Sequence, residues 1–192
     1  LFTNIVQFDG KVKKILAVTV VQAVEIIVIS YVVSLPFTLQ FDSMFKGVGI
    51  AQNHSMIHQL LILWGLPVVL TVLLIVCIIW EKLRGGANRS LYNLMKAISV
   101  PDLFAIIMGL CAIGLIAIPE FVYVRDIYEN GNARANTMFK LTYQAYMLFG
   151  MTMGYGIFRM LVTAKKKVFK VVSVIGLVLL CWTFGYFGNS VH

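Results

Sequence analysis

Long apolar segments alternate with short polar ones along this chain. A helix of about 20 apolar residues is long enough to cross the hydrocarbon core of a bilayer. Most of the segments lack the polar face that a surface helix of a soluble protein shows. The pattern therefore predicts five transmembrane helices, at residues 15–37, 57–80, 101–119, 136–162 and 168–187.

Two prolines lie at predicted helix boundaries. Pro36 removes a backbone donor, so we expect it to end the first helix. Pro101 suits the first turn of the third helix, where Ser99 or Asp102 can satisfy a free backbone amide.

Composition supports a membrane protein. The 192 residues are 60% hydrophobic and only 12% charged, whereas a soluble domain has about 25% charged residues. The fold class predicted is all-α integral membrane, as one helical domain over residues 1–192. Cys77, Cys111 and Cys181 lie inside apolar segments without the spacing of metal ligands, so we interpret them as small apolar residues.

The net charge of +8 arises from basic residues beside the apolar segments. Because no aromatic residues alternate with them on one face, we expect membrane lipid and no nucleic acid as partner. Alternating spans bring the basic residues at 11–14, 82–96 and 165–170 to one side, which the positive-inside rule makes cytoplasmic. The protein is then a multi-pass protein of the cytoplasmic membrane, with the polar 120–137 loop on the non-cytoplasmic side.

Polar residues are concentrated between residues 120 and 144, at the junction of two apolar segments. Polar groups are costly at membrane depth, so their concentration indicates a site. On a helix over 136–162, one stripe is formed by Asn136, Lys140, Tyr143, Met147, Gly150 and Gly154, bordered by Gln144. Because Gly150-x-x-x-Gly154 suits close helix contact, we expect this stripe to face the bundle.

Three cations of this stretch, Arg125, Arg134 and Lys140, suit a phosphate at the membrane edge. A helix starting near Asn136 adds free backbone amides for an anion. An alternative stays open, in which nearby acids neutralise the cations and orient the loop. These acids are Glu120, Asp126 and Glu129.

A motif in this stretch resembles the C-terminal part of the YYY family, uncharacterised bacterial and archaeal membrane proteins grouped with the GT-C glycosyltransferases. It reads Glu120-x-x-Tyr123-x-Arg125-Asp126, then Arg134-x-Asn136-Thr137-x-Phe139-Lys140-x-x-Tyr143-Gln144-x-Tyr146. The chain departs from the family at Ala135, where the family more often has Met, and at Tyr146, where it more often has Trp.

The resemblance implies the GT-C-like C-terminal portion of a longer transferase that uses a polyprenyl-phosphate-linked sugar at the outer membrane face, with a divalent cation in the parent enzyme. Arg125, Arg134 and Lys140 would bind the carrier phosphate. The side chains shaping and orienting the cavity would be Glu120, Tyr123, Asp126, Asn136, Tyr143 and Gln144. The family's catalytic acid lies in a first outer loop that we expect to precede Leu1, so the catalytic residue is unassigned; Asp42 lies in an outer loop but matches no motif.

Two other functions are compatible with the same residues. In a transporter or flippase for a lipid-linked or anionic solute, Gln22 and Glu25 would form an intramembrane polar site. A protonated or hydrogen-bonded helix contact is the favoured explanation of this pair. In a non-enzymatic assembly subunit, the polar stretch would lock two helices together. His54 and His58 are one turn apart but lack a third ligand, so no metal site is predicted.

Overall fold

The computed structural model describes residues 4, 7–8, 11–40, 47–84, 91–125 and 132–190, and the side chains of these residues except 91–92 and 184–190. Two short strands accompany the helices, β1 at Val48–Ile50 and β2 at Val122–Val124. The helices are α1 (Val12–Gln40), α2 (Ile57–Arg84), α3 (Leu91–Ala97), α4 (Val100–Phe121), α5 (Ala135–Thr163) and α6 (Lys167–Ser190).

The predicted fold class is confirmed: this is an all-α integral membrane protein. Helices α1, α2, α4 and α5 are long and apolar enough to cross a membrane. Helix α6 occupies the position of the fifth predicted span, whose membrane crossing stays a prediction. The short strands and α3 lie in segments that the hydrophobic pattern assigned to loops.

By its contacts the chain divides into two compact units. The first comprises Leu1–Met44 and Ala87–Ala97, and therefore contains α1 and α3. The second comprises Phe45–Gly86 and Ile98–His192 and contains the other helices and both strands. The sequence-based assignment of one domain stays a prediction.

The prediction that Pro36 ends the first helix is wrong, because α1 continues through Pro36 to Gln40. Hydroxyl groups near the proline bond to backbone carbonyls: Ser34 Oγ donates to Tyr31 O at 3.0 Å and Thr38 Oγ1 to Ser34 O at 2.9 Å. Neither bond reaches Val32 O, the carbonyl that loses its usual donor at Pro36. Proline removes only this one helix hydrogen bond, a loss that membrane helices tolerate.

The predicted start of the third span is confirmed. Ser99 is the N-cap of α4 and accepts a hydrogen bond from Asp102 N at 3.4 Å, with Pro101 in the first turn. The Asp102 carboxylate is therefore available for a different contact, described below.

Strands β1 and β2 pair antiparallel and bring the segment before α2 beside the end of α4. The register pairs Gly49 with Tyr123, and Arg125 N donates to Gly47 O at 2.8 Å beyond the ladder. Gly47 has a φ of +108°, a conformation that other residues rarely adopt. The Tyr123 ring lies over Gly49, where a Cβ atom would approach the ring to 2.6 Å.

Helix α5 is central to the second unit and packs against α2, α4 and α6. The tilted rings of Trp64 and Phe149 lie 5.9 Å apart between centroids. The buried residues of this main apolar cluster are Trp64, Leu70, Ala112, Ala145, Phe149, Met153 and Ile157. Cys77 is a buried free thiol in a second cluster with Met160, Ala164 and Phe169, as predicted for a small apolar residue.

The predicted packing face of α5 is wrong. The Lys140, Tyr143 and Met147 side chains are exposed, and Cβ atoms added at Gly150 and Gly154 would meet no neighbour within 4 Å. The opposite face packs in the bundle, through Phe149 and other apolar side chains, because it offers larger apolar volume to α2 and α4. The small residue at a close contact is Gly156, beside Leu74.

Replacing Gly109 by alanine is expected to lower the free energy of unfolding by about 1–3 kcal/mol, a typical cost of overpacking. The new Cβ atom would lie 2.5 Å from Thr71 Cγ2 and 3.1 Å from Thr152 Cγ2. Thr71→Ala removes the first clash and also a buried hydroxyl without a hydrogen-bond partner among the described residues. Thermal unfolding in detergent should show Gly109→Ala/Thr71→Ala to be more stable than Gly109→Ala; equal stability would contradict this steric explanation.

Candidate functional site

Glu120, in the last turn of α4, is the centre of a polar cluster at one end of the second unit. Its carboxylate accepts hydrogen bonds from Ser55 N and Ser55 Oγ, both at 2.7 Å, and from Arg134 Nη1 at 2.8 Å. The two charged side chains are mostly buried, with 17% of Arg134 and 13% of Glu120 exposed. We call Ser55, Glu120 and Arg134 the Glu120 cluster.

The Arg134 guanidinium connects three segments of the chain. Arg134 is the N-cap residue of α5, and it donates to Pro119 O and Ser55 Oγ, each at 3.1 Å. His54 Nδ1 donates to Glu120 O at 2.8 Å, since a carbonyl can only accept. The cluster therefore holds together the segment before α2, the end of α4 and the start of α5.

The two other predicted phosphate ligands have a different environment. Val124 N donates to Thr137 Oγ1 at 2.9 Å, which joins the end of β2 to the first turn of α5. Arg125 follows directly in the chain, and Lys140 is one turn along α5 from Thr137. Both side chains are exposed, and within the described part of the chain neither forms an ion pair.

The remaining predicted site residues of this region differ in their exposure to solvent. Tyr123 and Asn136 are half-buried, whereas Tyr143 and Gln144 are exposed on α5. The acids Asp126 and Glu129, and also Asp42, lie outside the described residues. For Arg134 the structure shows the alternative arrangement, in which an acid neutralises a predicted phosphate ligand: Glu120 forms an ion pair with it.

Gln22 and Glu25, the predicted intramembrane polar pair of the first unit, have different environments. Gln22 Oε1 accepts from Asn4 Nδ2 at 2.8 Å, and the same nitrogen donates to Thr19 Oγ1 at 3.0 Å. Glu25 is exposed on α1. A transport role for Glu25 therefore stays a prediction.

A second polar cluster, at the other end of the second unit, is centred on Arg159. Its Nε and Nη2 atoms donate to the two carboxylate oxygens of Asp102 at 2.8 and 3.2 Å, and Nη1 donates to Glu81 at 2.8 Å. Tyr155 Oη donates to Asp102 at 2.8 Å. We call Glu81, Asp102, Tyr155 and Arg159 the Arg159 cluster.

Sequence reasoning missed the Arg159 cluster. The signal was present: Arg159 is an isolated charge in the apolar second half of α5, and intramembrane charges normally have partners. Its partners come from two other helices, 57 and 78 residues away, so spacing alone does not identify them.

The two clusters lie at opposite ends of α2. Ser55 precedes that helix and Glu81 lies in its last turn. From Ile57 to Glu81 the helix rises by about 36 Å, compared with about 30 Å for a hydrocarbon core. We therefore expect each polar cluster at one edge of the membrane, with the main apolar cluster between them.

The carboxylates in both clusters accept hydrogen bonds from arginine and from hydroxyl or amide donors, and these bonds connect the helices. No carboxylate of the two clusters is therefore free to act as a general base. Among the residues that the structure describes, no group of three or more His, Cys, Asp or Glu side chains could hold a metal ion. His58 is exposed, and His54 bonds to a backbone carbonyl.

Comparison with known proteins gives one family. The sequence profile of a family described as "Uncharacterized membrane protein (DUF2298)" matches residues 4–100 and 87–149, which together exceed half of the chain. No curated protein and no solved structure matches the chain.

Proposed function

The chain belongs to the uncharacterised membrane protein family DUF2298, and from that premise we propose that it is the C-terminal membrane portion of a GT-C-like glycosyltransferase. Its substrate would be a sugar linked to polyprenyl phosphate, bound at the outer membrane face. One observation carries the proposal: Arg125 and Lys140 are exposed, and the two segments that carry them are joined by the Val124–Thr137 hydrogen bond.

Exposed cations on adjacent elements can serve a phosphate. Arginine presents a planar fork to phosphate oxygens and lysine a point charge on a flexible stem, so together they can contact one anion from two sides. Among the described residues neither cation has an acid as partner.

The third predicted ligand, Arg134, has a supporting role in this proposal. Its charge is compensated by Glu120, and two further N–H groups donate to Pro119 O and Ser55 Oγ. It would therefore hold the start of α5, and with it Lys140, in place relative to the end of α4.

The double substitution Arg125→Gln/Lys140→Gln is expected to weaken binding of decaprenyl phosphate at least tenfold, about 1.4 kcal/mol. The reason is the loss of two charge-assisted contacts to the phosphate. Native mass spectrometry of the full chain in mild detergent, titrated with decaprenyl phosphate, measures this. The matched control is Lys167→Gln/Lys170→Gln, which removes the same charge from exposed residues of α6.

Equal weakening in both double variants would mean a general electrostatic attraction and would contradict a phosphate site at Arg125 and Lys140. Decaprenyl alcohol provides a further control, because it keeps the chain and lacks the anion. If the wild type binds the alcohol as tightly as the phosphate, the cations do not recognise the carrier.

One observation favours the non-enzymatic alternative, an assembly subunit in which the polar stretch locks helices together. The Glu120 cluster is a closed network that joins three segments. A ligand that binds the folded state raises its stability, whereas a purely structural network gives no such response. An unchanged melting temperature at saturating decaprenyl phosphate would therefore favour assembly over carrier binding.

A further inference from the structure

A cleft of about 100 Å³ opens beside the Arg159 cluster, at the opposite membrane edge from Arg125 and Lys140. It is formed by the last turn of α2, the link between α5 and α6, and the first turn of α6. The residues lining it are Trp80, Glu81, Arg84, Lys165, Lys166 and Phe169.

Two of the cations in this cleft lie on an aromatic ring. Lys166 Nζ is 3.6 Å and Arg84 Cζ is 5.1 Å from the centroid of the Trp80 indole. Both distances are within the range of cation–π attraction. Two like charges on one ring repel each other, so an anion bound near both would relieve this repulsion.

Glu81, the acid among the described residues of the cleft, compensates these cations only in part. Glu81 Oε2 accepts from Arg159 at 2.8 Å, and Oε1 accepts from the backbone nitrogen of Lys165 at 3.2 Å. The carboxylate is thus committed to a buried guanidinium and a main-chain amide. The side chains of Arg84, Lys165 and Lys166 leave the cleft with an excess of positive charge.

The position of the cleft indicates which kind of anion it would bind. It opens where the apolar length of α2 ends, and its lining includes the buried side chain of Phe169. Trp80 is 38% exposed, as expected of an indole at the headgroup level. Helix α6 begins at Lys167, and the free amides of its first turn add positive potential. A basic pocket between membrane helices on the cytoplasmic side is suited to the phosphate of a lipid headgroup.

We propose that the cleft lined by Trp80, Arg84, Lys165 and Lys166 is a binding site for the phosphate headgroup of an anionic membrane lipid. The lipid phosphate lies between the guanidinium and the ammonium groups, and its acyl chains run along the apolar surface of the bundle. This site is separate from the proposed carrier site and does not depend on it.

The test is native mass spectrometry of the full chain in mild detergent, titrated with phosphatidylglycerol or with phosphatidylcholine of the same acyl chains. Wild type is expected to bind phosphatidylglycerol at least tenfold more tightly than phosphatidylcholine. Arg84→Gln/Lys166→Gln is expected to lose this preference. Arg84→Lys/Lys166→Arg keeps the charges and should retain at least part of it.

Lys167→Gln/Lys170→Gln is the matched control, because both lysines are exposed near the cleft without lining it. An equal loss in this control, or equal binding of the two lipids by wild type, would overturn the proposal. Inorganic phosphate is titrated in parallel; if it displaces phosphatidylglycerol at micromolar concentration, the site belongs to soluble phosphate and the lipid assignment is wrong. Should Arg84→Gln/Lys166→Gln fail to fold by circular dichroism, Lys165→Gln replaces it, with a several-fold loss of the preference expected.

Discussion

Arg159→Ala is expected to lower the free energy of unfolding of the membrane bundle by about 3–5 kcal/mol, the cost of leaving a buried charge without its partner. Asp102 and Arg159 are only 4% and 8% exposed. The substitution removes both bonds to Asp102 and one to Glu81, and leaves two carboxylates without their cation. Reversible unfolding of the full chain by increasing mole fraction of sodium dodecyl sulfate, followed by circular dichroism, measures the loss.

The charge itself, and not the lost side-chain volume, should account for most of this effect. Replacing all three ionised partners together, as Glu81→Gln/Asp102→Asn/Arg159→Met, removes the buried charges and should recover more than half of the loss. Lys170→Ala, on the exposed surface of α6, should change stability by no more than about 0.5 kcal/mol. A triple variant as unstable as Arg159→Ala would contradict the electrostatic explanation.

Arg134→Ala is expected to cost about 2–3 kcal/mol, because it removes charge-assisted hydrogen bonds from a mostly buried site. It deletes the bonds to Glu120, Pro119 O and Ser55 Oγ, while Glu120 keeps its two donors from Ser55. The loss should therefore be smaller than for Arg159→Ala. The same unfolding experiment measures it.

A double-mutant cycle with Glu120→Gln tests the pairing directly. If Glu120 and Arg134 act on each other, the double variant should be less destabilised than the sum of the single variants. Lys140→Ala is the control, because this lysine lies one turn and a half further along α5 and is exposed. A loss of stability in Lys140→Ala comparable to that of Arg134→Ala would contradict the different roles assigned to the two residues.

The helices of this protein follow from local sequence. Each long apolar segment forms a helix because the hydrocarbon core offers no hydrogen-bond partner, so the backbone must satisfy its own donors and acceptors. The start of α4 is local as well: Ser99, Pro101 and Asp102 are adjacent in the chain and form the cap that their types predict. Pro36 shows where this reasoning fails, since it lies inside α1 beside hydroxyls that bond to nearby carbonyls.

The hydrophobic pattern of the sequence did not predict which face of α5 packs against the other helices. In a soluble protein, water separates an apolar face from a polar one, and the periodicity of the residues reveals the core. Along the inner part of α5 both faces are apolar, so periodicity distinguishes them poorly. Which face packs depends on how well Ala145, Phe149 and Met153 fit against the neighbouring helices. That fit is a property of the packed structure and not of the residue spacing.

The sequence by itself thus determined that the chain is a helical membrane protein, approximately where its helices begin and end, and that residues 120–144 are unusually polar for their surroundings. Tertiary structure alone decided which charges are compensated. Arg134 meets Ser55 across 79 residues and Arg159 meets Glu81 across 78. Such pairs depend on which helices become neighbours, and that is settled by packing over the whole bundle, not by the spacing of residues along the chain.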